Sequence, residues 1–399
     1  MSPARGPAGF VFLGAYDPAY PRNAVIRAGL RANGAAVSEC IASTHWRFWM
    51  RWPRLVLRFI GGRSTRRAAE AGMRRRFIFV PEFCAKDVPL ARLLGRLTAR
   101  RVVFDPLAAR YETKILDWRR KPPSSLTAWW NFRIDAAAFR LADVVLADSA
   151  AHKDYFCRTY GLRPDKVKVL YLGFDDSLFR PVPERRVAAR AAAERATAAR
   201  PDSSPHEKPF LVLFFGSFLP LHGVEIAVEA AKLLAGESGI RFRFIGDGQT
   251  FPAVRRFVGE NSLANVELPG RTPIAALPGE IAAADLCLGV FGRTEKSRRV
   301  IPHKVVQSAA AGRPVITARS PAVEELFTHR RDIFLCDEPL GPSLAQAILE
   351  LRRDGWLREA IAAAGARLVR EQLAPAAVGR SLLDLLGLLG HAGGEGVRL

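Results

Sequence analysis

The 399-residue chain contains no uncharged apolar run near the ~18 residues that cross a bilayer, so no membrane-spanning helix is expected. The apolar stretch Gly9 to Ala15 is too short for a secretory leader and lacks a cleavage-type flank, so none is expected either. Cysteine is sparse. Cys40, Cys84, Cys157, Cys287 and Cys336 are scattered, with no Cys-x-x-Cys pair and no His at metal-ligand spacing. They read as separate thiols in a reducing compartment, and no metal site is expected. The turn Gly14 to Asn23 lacks Gly-x-Gly-x-x-Gly, which counts against a dinucleotide-dependent oxidoreductase. No short-period repeat and no recognised nucleic-acid module is found. Negative charge is scarce in one part only. Up to Pro183 there are 15 Asp/Glu against 32 Lys/Arg, and beyond it 24 against 28. Most of the net charge of +21 therefore belongs to the first part, which points to an anionic partner, phospholipid or nucleic acid.

What is present is alternation. Short apolar or β-rich runs (Gly9 to Tyr16, Ala36 to Cys40, Phe77 to Val80, Arg101 to Phe104, Asp143 to Ala147) are separated by stretches of helical spacing. That order predicts a parallel sheet with right-handed crossovers. Pro183 to Lys208 is rich in Ala, Arg and Glu and ends near Pro201-Asp202-Ser203-Ser204-Pro205, the composition of a tether. The alternation restarts at Phe210 to Phe215. The expected organisation is an α/β chain with two Rossmann-like domains facing across a cleft. Residues 1–183 form the first domain, 184–208 a linker and 209–370 the second. A C-terminal helix in 371–399 packs back on the first. Open sheets of this kind bind ligands at the carboxyl ends of their strands.

Three segments of the second domain carry candidate chemistry. Gly216-Ser217-Phe218-Leu219-Pro220-Leu221-His222-Gly223 follows a strand and precedes a helix, where backbone N–H groups and the helix dipole favour a phosphate. Gly246-Asp247-Gly248 ends another strand and suits close approach of a ligand. Arg298 to Val315 contains Pro302 at a helix start, Gly312 at its end and Pro314 beyond. Arg298, Arg299 and Lys304 collect round that helix N-terminus, which by itself would repel cations. A pyrophosphate between them accounts for the grouping.

In order and spacing these segments resemble a family-4-type retaining glycosyltransferase of the GT-B fold, within the group 1 glycosyl transferase superfamily. The resemblance also rests on Pro269-Gly270-Arg271, on Ala284-Asp285 before a strand, and on Pro302-His303-Lys304 running into Ala311-Gly312-Arg313-Pro314-Val315. Leu170-Tyr171-Leu172-Gly173-Phe174-Asp175, with Phe179 and Pro181, resembles the family's interdomain signature. The likeness is good over about Lys168 to Glu325. It implies that the second domain binds a nucleoside-diphosphate sugar as substrate, with no cofactor, and that the configuration is retained. Gly216, Ser217, Gly223, Gly246, Arg271, Arg299, Pro302, His303 and Gln307 are then the donor-binding candidates. Four positions depart from the family pattern. Gln307 stands where a carboxylate meets the ribose, and Arg299 where another touches the donor sugar. Ser217 and His222 stand where the first turn carries its Arg and Lys.

For catalysis the candidates are Asp105, at the end of the run Arg101 to Phe104, with His222, Arg298 and Lys304 at the leaving diphosphate. Tyr16, Asp17 and Arg22, after the first strand, are the acceptor-side candidates. The stretch Trp46 to Ile60 places Arg47, Arg51, Arg54 and Arg58 at spacings of four, three and four, opposite Phe48, Trp49, Trp52, Leu55, Val56 and Phe59. That is the pattern of an interfacial helix on an anionic membrane, with Pro53 as a kink, and it points to a lipid-linked or cell-envelope glycan acceptor. The expected location is cytoplasmic, peripheral on the inner face of the cell membrane, with no nucleic-acid partner. A core helix with an arginine-coated outer face is the alternative for this stretch. For the whole chain the alternatives are a catalytically inactive GT-B-like binding protein and a basic nucleic-acid-binding protein.

Overall fold

The structure, a computed structural model, describes residues 8–43, 48–62, 75–181 and 209–389. It divides into two compact units, Met1–Gly173 with Ala374–Leu399, and Phe174–Leu373.

Unit 1 is built on the strands β1 (Ala8–Gly14), β2 (Ala36–Ile41), β3 (Arg75–Val80), β4 (Arg101–Phe104), β5 (Val144–Ala147) and β6 (Val167–Val169). They pair in parallel in the order β2-β1-β3-β4-β5-β6. Every residue of β1 is buried, as expected of a parallel strand covered on both faces. Its neighbours are chosen for the pleat: Phe10 faces Phe77 and Phe12 faces Phe79 across the β1–β3 ladder, with ring centroids 5.1 and 4.5 Å apart. The crossovers include α1 (Pro21–Ala32), α2 (Phe48–Gly61), α3 (Val88–Leu97), α4 (Leu126–Leu141) and α5 (Ala150–Tyr160). Ser125 and Ser149 cap α4 and α5 by accepting from the N–H groups of Ala128 and His152.

Unit 2 holds β7 (Phe210–Phe215), β8 (Ile240–Ile245), β9 (Val266–Gly270), β10 (Leu286–Leu288), β11 (Val315–Ala318) and β12 (Phe334–Cys336), parallel in the order β12-β11-β10-β7-β8-β9. Helices α6 (Val224–Leu233), α7 (Phe251–Glu260), α8 (Leu277–Ala283), α9 (His303–Ala310), α10 (Pro321–Glu324), α11 (Gly341–Arg353) and α12 (Gly355–Leu373) connect and flank them. The chain passes into this unit at Phe174, ahead of the expected boundary at 183. Phe174 and Phe179 are buried, and the Phe174 N–H donates to Leu373 O. The expected linker 184–208 lies outside the described residues.

After α12 the chain rejoins unit 1 as α13 (Pro375–Leu385), which packs on α1. The two helices cross at Gly29 and Gly379, where a Cβ on either residue would collide with the backbone of the other helix.

The apolar side of α2 is not a free face. Leu55 and Phe59 are 0% and 2% exposed and belong to the core of unit 1, with Trp52 and Val56 packed against it. Arg51 pairs with Asp87 at 2.9 Å and Trp52 Nε1 donates to the same carboxylate. Arg58 donates to Ile41 O. The expectation that this side enters a membrane is thereby corrected, because burial in the domain's own core already removes it from water. Arg54 is exposed. Arg47 and the Trp49 side chain lie outside the described residues.

Candidate functional site

In unit 2 the strand order reverses between β7 and β10, which are neighbours with β8 and β11 on their outer sides. The carboxyl ends of these two strands define the crevice in which such sheets bind ligands. The Gly216 to Gly223 turn leaves β7 there. Gly216 takes φ +128°, and Gly246 at the end of β8 lies so close that a Cβ would collide with Gly216 O. The glycines are thus explained by backbone packing between the two turns. The Gly216 N–H donates to Ile245 O and that of Phe218 to Asp247 O, so those two groups hold the turn to the neighbouring chain. This corrects the expectation that the N–H groups of the first turn point as a set towards a phosphate. Gly216 and Ser217 are nonetheless exposed, and Gly223, at φ +60°, caps α6.

Lys304, in the first turn of α9, is the side chain that the fold sets against this turn. It is 5% exposed and its Nζ lies 3.7 Å from the centroid of the Phe214 ring. A Cβ on Gly216 would come within 3.2 Å of Lys304 Cε and Nζ. The ammonium has no hydrogen-bond partner among the described residues. Burial holds its pKa well below the ordinary lysine value. His222 Nδ1 meets Ser217 O. Burial, and then the neighbouring Lys304 charge, hold the His222 imidazole well below its usual pKa, with Lys296 adding to the effect.

The other candidates are placed differently. Arg298 is exposed, with its carbonyl accepting from the Ala322 N–H, and Arg299 is half-buried. Of the three cations grouped by sequence, the structure turns Lys304 alone into the interior against Gly216. Pro302 precedes α9 as its cap, His303 opens the helix, and Gln307 is buried one turn on. Arg271 is exposed and pairs with Asp247 at 3.3 Å. Lys296 was not singled out by sequence. It is buried in the loop after β10, and nothing in its local pattern marks it.

The carboxyl edge of the unit 1 sheet carries a second polar group. Arg22 Nε donates to Asp105 Oδ2 at 2.6 Å, with both side chains essentially inaccessible, and Arg22 Nη2 donates to Leu170 O. Asp105 as an acceptor-facing base and Arg22 as a phosphate contact are therefore corrected. They neutralise each other inside the domain. Tyr16 is buried, its hydroxyl directed at Glu39, and Asp17 closes its own loop by accepting from the Ala19 N–H. Beside the ion pair, Asn23 Nδ2 donates to Glu82 Oε1 at 2.6 Å. Burial, with Asp105 adding, pushes the Glu82 carboxyl up to about 8. Next along the edge, His152 lies between Asp148 at 2.6 Å and Glu112 at 3.0 Å, all three buried. Burial opposes its protonation, but the two carboxylates outweigh that and raise its pKa to about 9. Glu82 and Asp148 each follow a buried strand closely, the same signal that singled out Asp105.

Comparison with known proteins agrees with this arrangement. Residues 209–354 match the family described as Glycosyl transferases group 1, and residues 106–178 match Glycosyltransferase Family 4. The lipopolysaccharide core biosynthesis glycosyltransferase LpsD of Rhizobium meliloti is 25% identical over 81% of this chain and 87% of its own length. An uncharacterized glycosyltransferase of Methanocaldococcus jannaschii is 29% identical over 37% of this chain, and the match spans 40% of that relative. A probable glycosyltransferase of Pseudomonas aeruginosa, WbjE, is 31% identical over 28% of this chain and 27% of its own length. Among solved structures, Anabaena HepE in complex with UDP and glucose superposes with a TM-score of 0.66 at 18% identity, covering 96% of this chain and all of that one. Two domain families in the expected order, each on a parallel α/β unit of the GT-B type, place this chain among the group 1, family 4 glycosyltransferases.

Proposed function

We propose that the chain transfers a glycosyl group from a nucleoside-diphosphate sugar, held by unit 2, to a hydroxyl of a lipid-linked or cell-envelope glycan, with retention at the anomeric carbon. One observation carries this reading: a buried lysine nitrogen with no hydrogen-bond partner among the described residues, aimed at the turn after the first strand of the donor unit. A lone buried cation is costly unless an anion completes it. A diphosphate supplies that anion. As the bond from the anomeric carbon to the diphosphate oxygen breaks, charge grows on the leaving oxygens, and a preplaced ammonium stabilises it. The acceptor oxygen bonds to the same carbon, and its proton passes to the departing phosphate. The step as written needs no metal. HepE, whose fold this chain shares, is described with UDP and with UDP-glucose, which makes uridine diphosphate the first donor base to try. LpsD, by its name, serves lipopolysaccharide core biosynthesis, which supports an envelope glycan as acceptor.

The test is a thermal-shift series with UDP, GDP and other nucleoside diphosphates, followed by turnover of the matching sugar with a lipid-linked acceptor. Absence of any shift removes the donor reading. Arg299 at a family carboxylate position favours a second reading, an inactive GT-B-like binding protein. Binding without transfer or hydrolysis would select it.

The same reading has the protein in the cytoplasm, peripheral on the inner face of the cell membrane. No described helix is long and apolar enough to cross a bilayer. What supports membrane contact is the outer side of α2, where Met50, Leu57 and Ile60 are exposed beside Arg54 and Arg58. Loss of sedimentation with anionic vesicles in Leu57→Ser/Ile60→Ser would support this contact, and unchanged sedimentation would remove it.

A further inference from the structure

The amino-terminal edge of the unit 1 sheet, opposite the edge of Glu82 and Asp105, holds a cavity of about 680 Å³. It lies where β4, β5 and β6 begin and where α3, α4 and α13 end. Its wall is strongly basic, and the two acidic side chains on it are already engaged. Asp143 pairs with Arg92 at 2.6 Å and accepts from the Val102 N–H at 2.8 Å, and Asp165 pairs with Arg163 at 3.1 Å. Lys166 Nζ donates to Arg140 O. The side chains of Arg96, Arg101, Arg140 and Lys168 have no ion-pair or hydrogen-bond partner among the described residues.

Part of this has an ordinary explanation. Arg96 and Arg140 sit in the last turns of α3 and α4, where cations offset the helix dipole. Arg101 and Lys168 lie on strands and have no such support. Their convergence on one concavity brings like charges together, while Asp143 and Asp165 on the same wall are engaged by Arg92 and Arg163. Lys166 lies on the same wall, where burial lowers its pKa, Asp143 raises it, and Arg92 and Arg163 lower it.

We propose that this cavity is a second binding site, for a ligand that presents a phosphate or pyrophosphate group. The fork of a guanidinium and the point charge of a lysine both suit phosphate oxygens, and several cations around one hollow suit a group carrying more than one charge. The volume is that of a small-molecule pocket. The site belongs to unit 1 and shares no residue with the Lys304 turn, so it stands apart from the donor reading.

Two sources can supply such a group, a soluble pyrophosphate or a lipid headgroup, and the experiment separates them. Inorganic pyrophosphate is titrated calorimetrically into the full-length protein, and vesicles of phosphatidylglycerol in phosphatidylcholine are used for sedimentation. Three proteins are compared: wild type, Arg96→Ala/Arg101→Ala/Lys168→Ala, and Arg255→Ala/Arg256→Ala/Arg367→Ala, which removes the same charge from exposed positions of unit 2. The cavity variant should lose at least tenfold in affinity for pyrophosphate, for the vesicles, or for both, while the control keeps wild-type affinity. A loss confined to pyrophosphate identifies a soluble ligand, and one confined to vesicles a headgroup. Equal behaviour of the two variants, or no binding of either probe to wild type, overturns the proposal. Arg101→Gln alone serves if the triple variant fails to fold, with a severalfold loss expected and an unchanged affinity counting against the site.

Discussion

Lys304 presents its ammonium to the face of the Phe214 ring at 3.7 Å, in a position closed to water and open to the Gly216 turn. The ring supplies part of the charge compensation, of order 1–2 kcal/mol at a desolvated site. That does not replace hydration or a carboxylate. Lys304→Met keeps the length and apolar packing of the side chain and removes the charge. The expected outcome has two parts with opposite signs. Without nucleotide the variant melts at or above the wild-type temperature, since a buried amine with no hydrogen-bond partner among the described residues, whose charged form burial disfavours, has been removed. With UDP, affinity falls at least tenfold, about 1.4 kcal/mol or more. A variant that loses stability but keeps nucleotide affinity would make Lys304 structural.

The same environment ties donor binding to protons. Burial favours the uncharged amine of Lys304, and the Lys304 charge in turn disfavours the protonated imidazole of His222. A bound diphosphate favours both charged forms, so binding takes up protons and affinity falls as pH rises. Calorimetry of UDP binding in buffers of different ionisation enthalpy should show net uptake in wild type and less in Lys304→Met. A binding enthalpy independent of buffer rules the linkage out.

These two expectations differ in how far they could be seen in the chain itself. The two sheets were legible because their strands are short apolar runs such as Phe10–Leu13 and Val212–Phe215 at regular intervals. The turn Gly216 to Gly223 and the Pro302 to Val315 segment were legible as local patterns. What local pattern does not carry is direction. Arg298, Arg299 and Lys304 lie within seven positions, yet α9 begins at His303 and turns Lys304 inward while the loop leaves Arg298 in solvent. Amphipathy in α2 was evident, but either side of such a helix can meet a core, and Leu55 and Phe59 took it. Arg22 and Asp105 are 83 positions apart, so their pairing depends on the β1–β3–β4 order.

Glu82 makes the stability of the fold depend on pH. Its pKa is raised from 4.5 to about 8, so between these values the folded protein holds a proton that the unfolded chain releases. Stability contributed by this group therefore falls as pH rises through that window, by an amount on the order of 3–5 kcal/mol at most. Glu82→Gln keeps an acceptor for Asn23 and cannot ionise. Relative to wild type, it should gain stability steadily from pH 5 to pH 8 and little beyond, in denaturant titrations at fixed ionic strength. A constant difference across that range would mean that Glu82 is ionised in the fold.

His152 should behave in the opposite sense. Its pKa is raised from 6.5 to about 9 by Glu112 and Asp148, despite complete burial. For a base held protonated, the stabilising contribution is fully present below the unfolded pKa and is lost as pH rises through the folded one. The window is therefore about pH 6.5 to 9, and the contribution is on the order of 3 kcal/mol. His152→Gln can donate to one carboxylate but supplies no charge, leaving the other buried acid without a counter-ion. The variant should be least stable relative to wild type at pH 6, with the gap narrowing at pH 7.5 and again at pH 9.5. Denaturant titrations at these three values measure the gap. If it does not change with pH, His152 is neutral in the fold, and the triad is held by hydrogen bonds rather than by charge.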